Sequence, residues 1–367
     1  MSQINVRNLS NENDDGAPDV VGVSTFSATS YIVPPAGNTA QRPENPQLGD
    51  LRFNTDSASL EYFRGDTIGW TQIQMTSPDL NGGARGIFIG GRSGGSGVNT
   101  IEYVTISTLG NSADFGDLTD TNRVPTAISN RTLGYSCGGL NPSYTANVDK
   151  ITIATTGNAT DSGIDLTAAQ YNGGGASTQT RGLVMGGNTG SVVNTIQYMT
   201  LDSAANFVDF GDMLAVTNSN QCCSSSTRAI SMGGHDGSDR INTIQYVEFA
   251  TTGNATDFGD LDAIRTPICG SNSTRGLSIG GGGPGGTNVI QYITMATTGN
   301  ATDFGDTLTA TYESGVATSP TRAVFNTGSA VNIEYIEILT TGNAVDFGDF
   351  SFVNYENQGF SNAHGGL

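Results

Sequence analysis

The chain has 367 residues and a net charge of −19, from 34 acidic and 15 basic side chains; so acidic a surface repels phosphate backbones and argues against nucleic acid as a partner. Charged residues are only 13% while glycine supplies 51 positions, a balance that excludes solvent-covered helices and suits strands and turns rich in Gly, Ser, Thr and Asn. No stretch reaches the roughly 18 apolar residues of a membrane helix, and the start MSQINVRNLSNEND lacks the charged region and apolar core of a secretory signal, so folding in a cytoplasm without membrane insertion is expected.

Residues 1–40 are polar and turn-rich and read as an extended arm that docks on a partner. Residues 41–75 change character: LRFNT and LEYFRG are two strands about a turn at DSAS, and Trp70, the sole tryptophan, caps a third. Phe53, Leu60, Tyr62 and Trp70 are the expected mini-core. About 30 residues is small for independent stability, which points to association with copies or with another protein.

From residue 84 to the end the chain repeats itself. Arginines at 85, 131, 181, 228, 275 and 322 each open a short apolar run, at steps of 46, 50, 47, 47 and 47 residues. The runs (RGIFIGG, RGLVMGG, RAISMGG, RGLSIGG and relatives) end in Gly-Gly. A polar loop follows, then a strand such as NTIQYVEF, then the phrase TTGNATDFGD at 251–260 and again at 297–306, with close copies in the other repeats. A small-residue segment such as CCSSST leads to the next arginine. Every segment is strand-like, short and bounded by Gly, Asn and Asp. In NTIQYVEF apolar side chains fall on both faces, as expected of a sheet covered on each side. A period near 47 with four strands per unit matches a β-propeller blade, and six units predict six blades.

Within the phrase, Gly tolerates backbone geometry that other residues resist, and Asn and Asp can bond the turn locally. Phe115, Phe210, Phe258, Phe304 and Phe347 are the expected anchors between blades. Asp117, Asp212, Asp260, Asp306 and Asp349 are expected to pair with the repeated arginines, since a buried guanidinium without a partner is strongly destabilising. Calcium is the rival reading of these aspartates, but each repeat offers only two acidic groups where the ion wants several oxygens. No other cofactor is indicated.

The stretch SPDLNGGA before Arg85 is a poor strand. The interval from Asp349 to His364 equals that from Asp260 to Arg275, so residues 353–363 are expected to return as the inner strand of the first blade, removing an exposed edge. Cysteines 137, 222, 223 and 269 contain no CxxC pair and read as small buried thiols. His235 and His364 have no nucleophile beside them, the carboxylates recur by repeat, and GGGGPGG at 280–286 lacks the residues of a phosphate loop, so no enzyme is expected. The loops after Gly-Gly differ from repeat to repeat and, in a propeller, emerge on one face. Arg92, Tyr144, His235, Asp236, Asp239 and Arg240 are the richest contact candidates there; the competing reading is that they are solvent loops.

An apolar strand ending in Gly-Gly (Gly233, Gly234), a polar loop and a strand carrying Tyr246 resemble the kelch repeat. The likeness departs where kelch blades carry a Trp soon after the Tyr: here Phe258 stands twelve positions on, and the second repeat has Lys150 and Ser162 in place of both aromatics. The wording TTGNATDFGDL, SNSTRG and the ending FSNAHGGL is similar to repeats of virion structural and tail-fibre-like proteins of marine bacteriophages, cyanophages in particular, and the 42–73 module resembles one found beside attachment regions of such proteins. The resemblance implies an all-β fold, a six-bladed kelch-like β-propeller on a small N-terminal β-module. It also implies a non-enzymatic virion protein made in the host cytoplasm, in a tail fibre or appendage, with a propeller head for a host-surface glycan or protein. Residues 1–75 would contact other virion proteins, and a homotrimer is the implied assembly. The alternatives are a capsid or neck decoration or adaptor with a purely structural role and, less in keeping with the start of the chain, a bacterial carbohydrate-binding propeller.

Overall fold

The computed structural model describes residues 34–56, 59–72, 84–282, 286–328 and 330–367. The chain divides into two compact units, 1–76 and 77–367.

In the first unit, Ala36–Gly37, Leu51–Asn54, Ser59–Phe63 and Trp70–Gln72 form one sheet in that order, the first pair parallel and the others antiparallel. Residues 34–37 therefore belong to the module: Phe53 donates its backbone N–H to Pro35 O at 2.8 Å and Thr55 to Gly37 O at 3.0 Å. Residues 1–33 of the expected arm lie outside the described residues. The register corrects the expected mini-core. Partnered residues share a face, which puts Leu51, Phe53, Leu60 and Tyr62 together on a half-open side. Trp70 lies opposite Phe63 on the other side, ring centroids 5.6 Å apart, with buried Arg52, Asn54 and Glu61. Glu61 is fully buried and receives Arg42 Nη2 at 2.6 Å and Asn54 Nδ2 at 3.1 Å, with Arg52 Nη1 at 3.6 Å. Those cations hold its carboxyl below the usual range, Arg42 foremost. This side is sealed by ion pairs as much as by aromatics.

Among the described residues the second unit is all-β, with six four-stranded antiparallel sheets in a propeller-like arrangement and two-stranded ribbons at 92–97 and 140–144. They are numbered here by their arginines: sheet 1 (85–117 with 358–361), sheet 2 (126–165), sheet 3 (174–212), sheet 4 (221–260), sheet 5 (268–311) and sheet 6 (316–349). Sheet 4 is typical, with Gln221–Ser224 innermost, then Arg228–His235, Arg240–Glu248 and, outermost, Thr256–Asp260. Innermost strands touch in sequence from sheet 1 through sheet 6 and back to sheet 1. No sheet closes on itself; continuity comes from contacts between separate sheets. Six apolar clusters each straddle two neighbours, such as Phe210 of sheet 3 with Val247 and Phe249 of sheet 4, and Phe347 of sheet 6 with Val104 and Ile106 of sheet 1.

The repeated phrase is a bulge and a clasp. In sheet 4 the register passes from Ile244↔Gly259 to Gln245↔Asp257, leaving Phe258 as the extra residue of a β-bulge. The same shift frees Phe115, Phe210, Phe304 and Phe347. A bulge re-aims its side chain, and each Phe stands edge-on against its sheet's Tyr (Tyr246–Phe258, 5.8 Å) and is buried in an inter-sheet cluster. Sheet 2, which spells DSGID, loses two residues of register there instead. The Gly-Asn-Ala half clasps the neighbouring sheet. Gly299 N–H donates to Phe258 O (2.7 Å), Ala301 N–H to Asp260 O (2.9 Å), and Asp260 N–H to Asn300 Oδ1 (3.0 Å). Asn111, Asn158, Asn206, Asn254, Asn300 and Asn343 each accept such a bond, and the sheet 6 to sheet 1 junction uses the same set.

The expected pairing of the repeated aspartates with the repeated arginines does not occur. Arg85 stands opposite Thr105 and Asp117 opposite Thr100, opposite ends of one strand, ~17 Å apart. The arginines use other partners. Arg228 lies 4.6 Å from the Tyr246 ring, bonds Glu248 Oε1 at 2.8 Å, and donates to Met295 O and Ala296 O of sheet 5 at 3.1 and 3.0 Å. Arg85, Arg181, Arg275 and Arg322 likewise stack on their own sheet's Tyr and reach carbonyls of the next sheet. Arg131 departs from the expected repeat position: it precedes its strand, Leu133 stands opposite Thr152 where Arg181 stands opposite Thr200, Lys150 replaces the Tyr, and exposed Arg131 makes none of these contacts among the described residues.

Candidate functional site

Both ends of the central opening are built from the innermost strands. At the end where these strands finish, Ser129, Ser177, Ser271 and Ser361 donate their hydroxyls to a neighbouring strand's backbone carbonyl, such as Ser177 Oγ to Ser129 O at 2.8 Å. Gln358–Ser361 pairs with Arg85–Ile89 as the inner strand of sheet 1, and the tail beyond it turns into this end. His364 Nε2 lies 3.1 Å from Ser129 O and 3.3 Å from Ser177 Oγ, and Nδ1 accepts from Gly366 N–H at 3.2 Å. Burial pushes this imidazole down to about 4, so it is neutral and structural. A Cβ on Gly366 would come within 1.9 Å of Ser177 O, so only glycine fits there.

The opposite end is different. Where the innermost strands begin, Val124, Asn172, Ser219, Glu313 and Glu356 all have left-handed backbone, φ between 43° and 63°. These residues stand at matching positions and bond one another: Glu356 N–H to Glu313 O (2.6 Å), Val124 to Glu356 O (2.9 Å), Asn172 to Val124 O (3.0 Å), Ser219 to Asn172 O (2.9 Å). In sheet 5 the position is Thr266, without positive φ. Non-glycine residues in this region cost on the order of 1 kcal/mol each, and such strain collects at ligand clamps.

Inside this ring is a cavity of about 140 Å³, lined among others by Arg123, Tyr171, Asn172, Gln221, Pro267, Ile268, Glu313, Glu356 and Gln358. Arg123 grips Glu356 through two bonds, Nε–Oε2 at 2.6 Å and Nη2–Oε1 at 3.0 Å, which raises its own proton affinity further. Arg92 Nη1 lies 3.6 Å from the same carboxylate, and its Cζ is 5.6 Å from the centroid of the Tyr355 ring. Glu313 has no ion pair or side-chain hydrogen bond among the described residues; crowding by the surrounding protein, then repulsion by Glu356, pushes its carboxyl upward although the side chain keeps an exposed side.

Of the loop residues singled out in the sequence, two reach this mouth: Arg92, and Tyr144, which is 41% exposed and stacks on Tyr171 with centroids 5.1 Å apart. The His235–Arg240 loop stands at the rim and is occupied with its own turn. His235 Nδ1 accepts from Gly237 N–H at 3.0 Å, and Asp236 Oδ1 accepts from Ser238 and Asp239, whose N–H groups hold its carboxyl below the usual range. Asp239 and Arg240 are exposed. Sequence reasoning missed Arg123, Tyr171, Asn172, Gln221, Glu313, Glu356 and Gln358. A signal was present: YNG, YES and YEN at 171, 312 and 355 put Tyr directly before a left-handed residue in three repeats.

Among the described residues there is no group of three or more His, Cys, Asp or Glu side chains arranged to hold a metal ion. No protein-family model matches the chain, and no curated protein matches it in sequence.

Proposed function

We propose that the six sheets form a six-bladed, kelch-like propeller. In this reading the chain is a non-enzymatic virion protein, carried in a tail fibre or similar appendage of a bacteriophage. Residues 1–75 attach it to other virion proteins, as one of three copies, and the mouth with its surrounding loops contacts the host surface.

One observation carries this reading: the two ends of the ring are built on different principles. The tail end is filled by the chain's own terminus, with small residues whose hydroxyls donate to neighbouring backbone carbonyls. The mouth end holds left-handed backbone, an aromatic stack, and polar groups left for something else to meet. The repeated residues build the ring, and the residues that differ between repeats gather at its mouth, the usual division between scaffold and recognition loops.

Antibody against the full chain should decorate intact phage particles, and the soluble full chain should compete with those particles for adsorption to host cells. Decoration without competition would favour a capsid, neck or adaptor role. Neither outcome on any particle would remove the virion reading.

A further inference from the structure

The strongest unassigned feature is the mouth cavity, and the inference from it rests on the recognition role proposed above. Its floor contains Gln358, only 8% exposed, whose side-chain amide has no hydrogen-bond partner in the described chain. Neither amide atom is sealed from solvent-accessible space, so the group opens into the cavity. Gln221, half-buried on the neighbouring wall, is unpartnered in the same way. A buried amide is normally satisfied, and one left open toward a cavity is a group waiting for a ligand or water. Glu313 adds a carboxylate with no partner.

The charges narrow the choice. Arg123 spends its fork on Glu356, and Arg92 lies against the same carboxylate. Among the described residues that line the cavity the one cation, Arg123, is committed to Glu356, with Arg92 and Arg240 standing outside the lining, while Glu313 and the two amides offer acceptors and donors to hydroxyls. Val124, Pro267, Ile268 and the Tyr171 ring supply an apolar wall. Hydroxyl-bearing edges with an apolar face describe a sugar ring. About 140 Å³ is well below the roughly 300–1,000 Å³ that encloses a drug-sized molecule, so one ring enters, not a chain.

We propose that the mouth cavity binds a single neutral pyranose, the exposed terminal sugar of a surface glycan, through the amides of Gln221 and Gln358 and the carboxylate of Glu313.

The test uses the full chain with the methyl glycosides of glucose, galactose, mannose and N-acetylglucosamine, followed by saturation-transfer NMR and calorimetry. At least one should bind at millimolar concentration, with N-acetylneuraminate and glucosamine weaker. Gln358→Ala and Glu313→Gln should each weaken that binding about tenfold, the loss of one good polar contact, while Asp257→Ala, on an outermost strand, leaves it unchanged. Glu313 is exposed, so Glu313→Gln keeps the test valid should Gln358→Ala fail to fold. Binding by none of the four glycosides, tighter binding of the charged sugars, or indifference to both variants would overturn the proposal. Competition for host cells reports separately. If competition persists in Gln358→Ala, the cavity proposal falls and the loop-face reading stands; if glycoside binding is lost in that variant but the parent never competes, the site stands and the host reading falls.

Discussion

Two glycines of one phrase copy make a controlled experiment. Gly299 and Gly305 have similar φ, +157° and +150°, so the φ strain of replacing either with alanine is comparable and largely cancels in their difference. Their surroundings differ completely. A Cβ on Gly299 would meet nothing within 4 Å, whereas one on Gly305 would lie 2.4 Å from Gly342 O and 2.6 Å from its carbonyl carbon, across the junction with sheet 6. That oxygen belongs to backbone held by the clasp, where Gly342 N–H bonds Phe304 O at 2.9 Å and Ala344 N–H bonds Asp306 O at 2.8 Å. It cannot retreat without opening those bonds. Overpacking of this kind costs about 1–3 kcal/mol. Gly305→Ala should therefore be less stable than Gly299→Ala by that amount in denaturant titrations of the full chain with matched slopes. Equal midpoints for the two variants would refute the assignment of the phrase to an inter-sheet clasp.

Three further outcomes follow from the same contacts. His364 has an ordinary pKa near 6.5 unfolded and about 4 folded, so the unfolded chain takes up the proton first. Stability should fall from about pH 6.5 toward pH 4, by roughly 3 kcal/mol in all. Buried Glu334, whose pKa is raised, acts in the opposite sense, so the quantity to measure is parent minus His364→Asn across that window; a pH-independent difference would contradict the buried-imidazole account. Arg228→Lys should cost about 1–3 kcal/mol in chemical denaturation, since an ammonium cannot stack on Tyr246 while serving Glu248 and two carbonyls. Arg131→Lys, at an exposed site, should stay within about 0.5 kcal/mol. Replacing exposed Asp209, Asp257 and Asp303 with Asn should leave the melting temperature nearly unchanged but promote self-association in sedimentation; a monodisperse triple variant would show that these charges do not guard the edges.

Much of the ring was legible because it is written several times. Four strand-like segments per repeat, the Phe anchors and the return of the chain end to a position before Arg85 all follow from spacing, and spacing survives any uncertainty about a single residue. Partner choice was not legible. Arg228 and Asp260 belong to one repeat and have opposite charge, yet they lie on either side of the strand Arg240–Glu248 and at its opposite ends, which only register reveals. The buried polar position in NTIQY was also missed. Gln245 Oε1 accepts Leu214 N–H of the preceding sheet at 2.8 Å, and Gln291, Glu334 and Glu102 do the same in turn. Glutamine on a strand looks like surface until its neighbouring sheet is in place. In the first unit the apolar letters misled for a related reason: Arg52 and Glu61 neutralise each other, so the charged face is the one that is buried. The mouth was half legible, since Arg92 and Tyr144 lie in evidently variable loops, whereas Glu313 and Glu356 are marked only by a left-handed backbone that composition does not announce.

The acidity of the chain has a structural explanation in the same repeat. Every outermost strand carries two aspartates, Asp257 and Asp260 in sheet 4 and their counterparts elsewhere, which makes twelve of the 34 acidic residues. An outermost strand of a sheet presents unpaired N–H and C=O groups and invites another strand to add to it. Here the N–H of the final Asp is already taken by Asn of the next sheet, and the charge repels any second edge bearing the same pair. The phrase thus joins a sheet to its neighbour in the ring and keeps it from joining anything else. Five of the six non-glycine residues with left-handed backbone among the described residues, and the open amides of Gln221 and Gln358, gather at the mouth. The carboxylates there are of another kind, since Glu356 is engaged by Arg123 and Arg92 while Glu313 stands alone. A repeat that satisfies its own edges so fully confines recognition to the few positions where the repeats disagree.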